Sequence, residues 1–176
     1  MEKYFTKISG TPVVEDEGVR PITTVKNLLV DPETGNVIAL VVNESKNLVI
    51  LPMDVLSWGE AVHVHDRECI VESDEVLRVN NVLKLKINIF GNKVFTKSGK
   101  PLGNVYDFSI DTNTMTLKKL FTAKGFLGLF RYDSRIIPEK NIIEILKNKI
   151  VVKDDAAREK ELEKQAEMVT QDIAPA

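Results

Sequence analysis

The stretch VKNLLVDPETGNVIALVV, residues 25–42, places two runs of alternating apolar residues on either side of a turn. Alternation with a period of two is typical of strands that bury one face. Asp31-Pro32 favours the start of a turn, and Gly35 can adopt a positive φ angle that most residues avoid. The stretch therefore predicts a β-hairpin with a loop of about three to five residues.

The hairpin sequence recurs in the second half of the chain, within a longer series of matches. Three blocks appear in the same order in both halves: 9–14 with 90–95 at a spacing of 81, 25–31 with 105–111 at 80, and 50–52 with 136–138 at 86. The larger last spacing places six extra residues in the second copy. Ordered matches indicate a tandem duplication of a unit of about 70 residues, which is large enough to fold alone. Met115 stands where the first copy has Gly35, so we expect Asn113 to take the left-handed conformation.

Two segments depart from the strand pattern. Ser73-Asp74-Glu75 precedes apolar residues at helical spacing and resembles an N-cap with an acidic first turn, which predicts a short helix near 74–83. From Asp154 onward the chain is rich in good helix formers and carries a narrow apolar stripe. That stripe consists of Leu162, Ala166, Val169 and Ile173. Because so thin a helix is marginal alone, we expect it to project or to pack on another chain, as in a homo-oligomer.

The complete pattern predicts an all-β fold with minor α content. Short strands with glycine at the turns favour small barrels or sandwiches over a βαβ sheet. The predicted organisation is a first β-barrel at 1–73, a connecting helix at 74–84, a second β-barrel at 85–153, and a charged C-terminal helix with a frayed end at 154–176. We expect each repeat to form its own barrel around its own core. The hairpin residues expected to point into the cores are Leu28, Val30, Phe108 and Ile110.

The net charge of −2 is an average over blocks of opposite sign. Residues 1–80 carry 7 Lys and Arg against 14 Asp and Glu, residues 81–153 carry 14 against 5, and residues 154–176 carry 3 against 7. Local charge determines the field that a partner meets. Two interpretations follow: the acidic and basic halves dock on each other, or the basic half binds an anionic partner.

The composition is that of an ordinary globular protein, with 43% hydrophobic and 28% charged residues. It excludes a disordered polyelectrolyte and a collagen-like fibre. The longest apolar run, 37–42, is far shorter than the ~20 residues that span a bilayer. The sequence begins without a signal-peptide pattern, and the single Cys69 cannot form an internal disulfide. We therefore expect a cytoplasmic protein with no membrane span.

Further motifs occur in a characteristic order. In the second copy they are Gly103-Asn104-Val105, Asp111-Thr112-Asn113, Gly125-Phe126-Leu127-Gly128 and Ile136-Ile137-Pro138. In the first copy, 30–35 and 50–52 fit, whereas 22–25 lacks the leading glycine and the loop is shortened to 43–47. Over about residues 4–153 the chain resembles a tandem PRC-barrel protein, of the family that includes the barrel of the photosynthetic reaction-centre H subunit.

The resemblance implies PRC-type β-barrels that serve as docking modules and not as catalysts. Related domains are similar to parts of a photosynthetic electron-transfer complex, of a ribosome maturation factor that contacts a small-subunit ribosomal protein, and of archaeal cell-division adaptors. The expected function is a non-enzymatic adaptor or scaffold that docks protein partners. The alternative is an RNA- or ribosome-associated maturation factor that uses the basic second barrel. A shared fold does not select between these functions.

The sequence offers no motif for catalysis or for a cofactor. It contains neither a Gly-x-Ser-x-Gly nucleophile motif nor a Walker-type or dinucleotide-binding glycine pattern. His63 and His65 would share one face of a strand, and two imidazoles there could bind a metal. However, His-x-His-x₃-Cys is not a recognised zinc spacing, so an ordinary strand face is the stronger interpretation. We expect no catalytic residue, no cofactor and no metal.

The segment 124–132, KGFLGLFRY, is too apolar for an ordinary solvated loop. Either it folds back to plug its barrel, or it is an exposed apolar anchor rimmed by cations and suited to an anionic protein partner. Stacking of RNA bases on its aromatic residues is a further alternative. The candidate partner-binding residues are Lys118, Lys119, Lys124, Phe126, Leu127, Leu129, Phe130, Arg131 and Arg135.

Overall fold

The computed structural model describes residues 1–16, 18–126 and 130–157, and about half of them lie in strands. The first repeat contains, in chain order, β1 (Glu2–Tyr4), α1 (Phe5–Ile8), β2 (Pro12–Glu15), β3 (Pro21–Thr24), β4 (Asn27–Val30), β5 (Val37–Asn43), β6 (Leu48–Ile50), β7 (Val55–Trp58), β8 (Val62–Val64) and β9 (Ile70–Glu72). A helix, α2 (Leu77–Leu85), connects it to the second repeat. The second repeat contains β10 (Lys93–Thr96), β11 (Pro101–Asp111), β12 (Thr116–Phe126), β13 (Phe130–Pro138), β14 (Ile142–Ile145) and β15 (Lys149–Val152). Short 3₁₀ turns span Pro52–Asp54, Arg67–Cys69, Ser73–Glu75, Glu139–Asn141 and Asp154–Ala157.

The two repeats have the same strand order but divide it differently into sheets. In the second repeat one sheet runs β13-β12-β11-β10-β15-β14, because the long β11 pairs with β10 at one end and with β12 at the other. In the first repeat the chain leaves the strand conformation at Val25 and Lys26, between β3 and β4. That break leaves two four-stranded sheets, β3-β2-β8-β7 and β4-β5-β6-β9.

Neither repeat closes into a barrel within the described residues, so the prediction of closed barrels is wrong. Closure of the second sheet would require β13 to pair with β14, and the strand order leaves them at opposite ends. Only the 3₁₀ turn Glu139–Asn141 separates these two strands in sequence, and the corresponding strands β6 and β7 are separated by Pro52–Asp54. The chain therefore turns a corner at this point and does not fold back as a hairpin.

The register of strand pairing confirms the duplication and corrects one of its spacings. Leu28 pairs with Leu40, and Phe108 pairs with Leu120, so these strands correspond at a spacing of 80. The next strand pairs are Leu40 with Ile50 and Leu120 with Ile137, which gives a spacing of 87. Ile50 therefore corresponds to Ile137 and not to Ile136, and the second hairpin has seven extra residues instead of six.

The two hairpin turns contact each other through a reciprocal pair of backbone hydrogen bonds. The N–H of Val37 donates to the carbonyl of Met115, and the N–H of Leu117 donates to the carbonyl of Gly35, both at 2.8 Å. Val37 corresponds to Leu117, and Gly35 corresponds to Met115, at the repeat spacing of 80. The two hydrogen bonds are therefore equivalent, with the repeats exchanged. The turns thus meet as the subunits of an isologous dimer do, across a local twofold axis between Asn36 and Thr116.

The same turn position adopts a positive φ angle in both repeats, although only one of them has glycine there. Gly35 has a φ of 71°, and Met115 has a φ of 51°. The expectation that Asn113 would take the left-handed conformation is therefore wrong. The Met115 side chain packs against the core, which offsets the strain of that backbone conformation.

The N-terminal segment belongs spatially to the second repeat. Strand β1 pairs antiparallel with the end of β11, from Glu2 opposite Asp111 to Tyr4 opposite Ser109. In α1, the backbone N–H and the hydroxyl of Thr6 donate to the carboxylate of Asp107 at 3.2 and 2.6 Å. The first repeat therefore adds a strand and a helical turn to the sheet of the second.

The two repeats share one hydrophobic core, so the expectation of separate cores is wrong. One cluster of buried residues includes Val13 and Leu40 from the first repeat and Leu120 and Ile150 from the second. The four hairpin residues that were expected to point inward all belong to it: Leu28, Val30, Phe108 and Ile110. Phe5 stacks on Phe108 with a ring separation of 4.6 Å and joins the N-terminal segment to the same core.

Helix α2 packs on the outer face of the first repeat's sheet and starts later than predicted. Ser73–Glu75 forms a separate 3₁₀ turn, and the helix runs from Leu77 to Leu85 without a side-chain cap at its start. Val79 is buried against Leu29, Ala39, Val41 and Val49, which form a second apolar cluster. Of the predicted C-terminal helix, only the 3₁₀ turn Asp154–Ala157 is described; residues 158–176 lie outside the described part of the chain.

Gly103 provides a test of how tightly β11 and β12 pack. Its φ angle is 99°, and an added Cβ atom would overlap the backbone carbonyl of Ala123. We expect Gly103→Ala to lower the free energy of unfolding by about 2–4 kcal/mol, because φ strain and the overlap act together. Gly99 also has a positive φ angle but nothing within 4 Å of an added Cβ, so Gly99→Ala should cost only about 1–2 kcal/mol. Urea denaturation of both variants measures the difference, and equal losses would contradict the packing at Gly103.

Candidate docking surface

The β12–β13 hairpin is the largest structural difference between the repeats. Its first-repeat counterpart, β5–β6, has strands of 7 and 3 residues, whereas β12 and β13 have 11 and 9. Antiparallel pairing continues to the pair Phe126 and Phe130, and residues 127–129 lie outside the described part of the chain. The seven extra residues thus lengthen a two-stranded ribbon, whose register shifts once, between Thr122 and Lys124.

The cations predicted to rim this hairpin have different surroundings. Lys118 is exposed, whereas Lys119 pairs with Glu2 at 3.0 Å and Lys124 pairs with Asp133 at 3.1 Å. Arg135 is not a rim residue, because its side chain is only 8% exposed and contacts Asp133. Its cross-strand partner, Thr122, is also buried, so both point into the second repeat. The expectation that Arg135 is available to a partner is therefore wrong.

The remaining candidates lie at the hairpin tip. The backbones of Phe126, Phe130 and Arg131 belong to the paired strands, and their side chains are outside the described structure. Leu127 and Leu129 lie in the undescribed segment. The choice between a barrel plug and an exposed anchor therefore stays a prediction for these residues.

Asp133 joins two cations at the base of the ribbon. Its carboxylate accepts from Arg135 at 3.1 Å and contacts the Lys124 ammonium at 3.1 Å. Partial burial acts to raise the pKa of Asp133, but the hydrogen bonds and charges of Lys124 and Arg135 outweigh it, so the pKa lies below its ordinary value. Asp133 also has a φ angle of 52°, which Asp and Asn tolerate better than most residues.

Besides the cluster at Asp133, an ion pair between Glu2 and Lys119 links the acidic half of the chain to the basic half. The carboxylate of Glu2 accepts from the Ser109 hydroxyl at 2.7 Å and from the Lys119 ammonium at 3.0 Å. The hydrogen bond from Ser109, followed by that from Lys119, lowers the pKa of Glu2. The ion pairs at Arg67, Arg78 and Asp133 each lie within one repeat.

The outer face of the second sheet exposes apolar side chains. Phe121 and Ile136 are directly opposite each other on β12 and β13, and the Tyr4 ring packs on Phe121 at 5.3 Å. Ile136 is 59% exposed and Tyr4 is 45% exposed, whereas Phe121, on which the Tyr4 ring packs, is only 9% exposed. The alternation of apolar residues in the hairpin predicts that Ile136 lies on the outer face. The position of Tyr4 depends on β1 crossing to the other repeat, and no nearby sequence pattern predicts that crossing.

The corresponding face of the first repeat is covered. By register, Phe121 corresponds to Val41 and Ile136 corresponds to Val49, which is fully buried. Helix α2 buries Val49 through Val79 and its neighbours. The same sheet face therefore packs against a helix in one repeat and, in the described structure, is exposed at Ile136 in the other.

The two histidines do not gain further ligands from the fold. His63 lies in β8 and is half-buried, whereas His65 follows the strand and is exposed. Among the described residues, no three His, Cys, Asp or Glu side chains come together in a group that could hold a metal ion. A metal site would require ligands from elsewhere.

Comparison with known proteins assigns the family. The sequence model of the PRC-barrel domain matches residues 1–78 and again residues 87–159. The chain belongs to the PRC-barrel family. The two matches coincide with the two repeats and place α2 at the boundary between them. Comparison with curated protein sequences gives no match.

None of the helices in the described ranges is both long enough and apolar enough to cross a membrane. The PRC-barrel match identifies a domain type, and its two copies differ at α2 and at the β12–β13 hairpin.

Asp133 allows a test of the ribbon's electrostatics. We expect Asp133→Asn to lower the free energy of unfolding by about 1–3 kcal/mol at pH 7, less than the loss for a fully buried ion pair because Asp133 retains contact with solvent. Since the folded-state pKa is lowered, this contribution is present above the ordinary Asp value near pH 3.9 and disappears as the pH falls through the folded pKa. The difference from wild type in urea denaturation should therefore shrink below about pH 4.

Glu139→Gln is the matched control, because Glu139 is exposed and forms none of the ion pairs above. It should change stability by less than about 0.5 kcal/mol. A loss at Asp133 that is independent of pH would contradict the ionic role of its carboxylate.

Proposed function

We propose that the protein is a non-enzymatic, cytoplasmic adaptor that docks an amphipathic helix of a protein partner on the outer face of its second sheet. This surface, here called the docking face, consists of Tyr4, Phe121 and Ile136, with Lys118 and Lys119 beside them. The observation that carries the proposal is the contrast between Val49 and Ile136. These residues correspond in register, but the first is fully buried and the second is 59% exposed.

The first repeat supports a helix as the occupant. There, α2 packs Val79 on Leu29 and Val49, so a sheet of this shape can hold a helix on its outer face. In the second repeat, Ser109 and Lys119 stand at the positions of Leu29 and Ala39. The second sheet therefore offers a docked helix fewer apolar contacts than the first sheet offers α2. A less apolar surface is characteristic of an interface that forms and dissociates, whereas α2 is a permanent part of the fold.

The charges beside the docking face favour an acidic partner. Lys118 is exposed, and Lys119 holds Glu2 by an ion pair at the surface. Exposed cations accelerate the association of an anionic partner, and apolar burial then slows its dissociation.

A second copy of the chain is the other source of such a helix. The apolar stripe of the tail, from Leu162 to Ile173, would then occupy the docking face of a neighbouring molecule. In that case the protein would associate with itself, and light scattering would show a mass that falls to that of the monomer when residues 158–176 are deleted.

The test uses a partner recovered by affinity capture from the native cell with nuclease present, so that contacts through RNA are removed. Binding of the purified partner is then measured by surface plasmon resonance for Ile136→Asn and for Ile143→Asn. Ile143 is the matched control, because it is an isoleucine of the same repeat that is 46% exposed on β14. We expect Ile136→Asn to weaken binding at least tenfold, mainly through faster dissociation, and Ile143→Asn to have little effect.

Equal binding by wild type and Ile136→Asn would contradict the docking face. Equal weakening by both variants would also contradict it, because the effect would then not be specific to this sheet. Melting curves of both variants exclude loss of the fold as the cause.

A further inference from the structure

Three exposed lysines lie together at one end of the second repeat. Lys93 at the start of β10 is the register partner of Lys149 at the start of β15, since these strands are parallel neighbours. Lys147 lies in the turn before β15, and all three lysines are exposed. The ion pairs formed by the described residues involve none of the three. The surface defined by these lysines and Phe90 is here called the lysine groove.

The fold holds the lysines in place through Asn92. Its buried side-chain amide donates to the carbonyl of Leu146 at 2.8 Å, and its side-chain oxygen accepts from the N–H of Lys93 at 3.0 Å. The turn is closed by the N–H of Leu146, which donates to the carbonyl of Lys149 at 2.9 Å. One asparagine therefore connects the strand that carries Lys93 to the turn that carries the other two lysines.

Such a placement is unfavourable for the isolated protein. Like charges directly opposite on neighbouring strands destabilise a sheet, and among residues 1–16, 18–126 and 130–157 no acidic side chain within ion-pair distance offsets the repulsion. An anion bound between the lysines would remove this cost. The arrangement therefore favours a ligand that carries several negative charges.

An aromatic ring lies in the same groove. Phe90, which is 47% exposed, lines the groove of about 550 Å³ together with Lys93, Lys147 and Asn148. Phe5 packs against the Phe90 ring at 5.7 Å and Phe5 itself stacks on Phe108, so the orientation of the ring is fixed from inside. A fixed ring with an accessible surface beside cations is the arrangement on which bases stack in proteins that bind single strands.

The first repeat shows that the fold itself does not require this surface. Lys93 corresponds to Pro12, because they pair with the equivalent residues Asn104 and Thr24. Phe90 corresponds to Ser9, each preceding a glycine of positive φ angle. By the register of the parallel pairs, Gly59 and Ala61 before β8 stand where the second repeat has Lys147 and Lys149. Glu60, between them, stands at the position of Asn148. The groove's charge and its exposed ring are therefore features of the second copy alone.

We infer that the lysine groove binds single-stranded nucleic acid, with phosphates at Lys93, Lys147 and Lys149 and a base on Phe90. An acidic protein segment fits less well. Carboxylates are matched best by the two-pronged guanidinium of arginine, and the cations of this groove are all lysines, which bind phosphate as point charges. The inference does not rest on the proposed adaptor function, because the docking face lies on other strands, β1, β12 and β13.

The experiment measures fluorescence anisotropy of a labelled oligouridylate of about 12 nucleotides, within the range of known single-strand site sizes. Oligothymidylate of the same length distinguishes RNA from DNA, and a Glu-rich peptide tests the acidic-protein alternative. We expect wild type to bind the oligouridylate, with an affinity that falls steeply with salt. The triple variant Lys93→Gln, Lys147→Gln and Lys149→Gln should reduce the slope of log K against log salt by about 2. Over a fourfold rise in salt, the affinity of wild type should therefore fall about 16-fold more than that of the triple variant.

Phe90→Leu separates stacking from charge. Leucine keeps the apolar contact with Phe5 but offers no ring, so the affinity should fall about fivefold or more while the salt slope stays unchanged. The matched charge control replaces Lys26, Lys46 and Lys140 by Gln, which removes three exposed lysines from other surfaces. This control should bind like wild type. The lysine variants should melt close to the wild-type temperature, since the replaced side chains are exposed. Phe90→Leu should melt at most a few degrees lower, because it loses only the ring contact with Phe5.

Three results would overturn the inference. The first is no oligouridylate binding by wild type at low salt. The second is an equal loss of affinity in the control triple variant, which would show general attraction by charge. The third is tighter binding of the Glu-rich peptide than of the oligouridylate, which would assign the groove to an acidic protein.

Discussion

The reciprocal contact between the two hairpin turns is the constraint on which the rest of the structure depends. Val37 bonds to Met115 and Leu117 bonds to Gly35, so the repeats meet across a local twofold axis. That contact brings the inner faces of both hairpins into one core, and the N-terminal strand β1 then completes the second sheet. Two units of about 70 residues would each have a small core, whereas a joint core buries a larger fraction of the chain.

The shared core leaves the outer surfaces of the two copies free to diverge, and they have done so. In the first repeat, α2 covers the outer sheet face and buries Val49, whereas Ile136 is exposed on the second. At the end of the second repeat, three lysines and Phe90 replace a nearly neutral surface of the first. Because the core and register are the same in both, these differences are not demanded by folding. They are therefore the places where a function that distinguishes the repeats is to be found.

Local patterns in the sequence predicted the hairpins and the duplication, because alternation and turn residues act within a few positions. Features that depend on distant partners were missed or misplaced. The crossing of β1 to the second repeat requires Asp107 and Ser109, about 100 residues away, and nothing near Glu2 signals it. Arg135 was expected at the surface, but the irregular register between β12 and β13 and the left-handed Asp133 place it inside. The lysine groove was missed because its members come from 93 and 147–149 and meet only in the parallel pair of β10 and β15.

The most direct test of the shared core is whether the two repeats unfold together. Trp58 is the single tryptophan and lies buried in the first repeat, so its fluorescence in urea reports on that repeat, and hydrogen exchange of the β12 amides reports on the second. The account predicts one coincident transition, and it predicts that Leu117→Ala, in the second repeat, lowers the stability reported by Trp58 by about 2–5 kcal/mol. A Trp58 transition that Leu117→Ala leaves unchanged, with the β12 amides exchanging in a separate step, would contradict it.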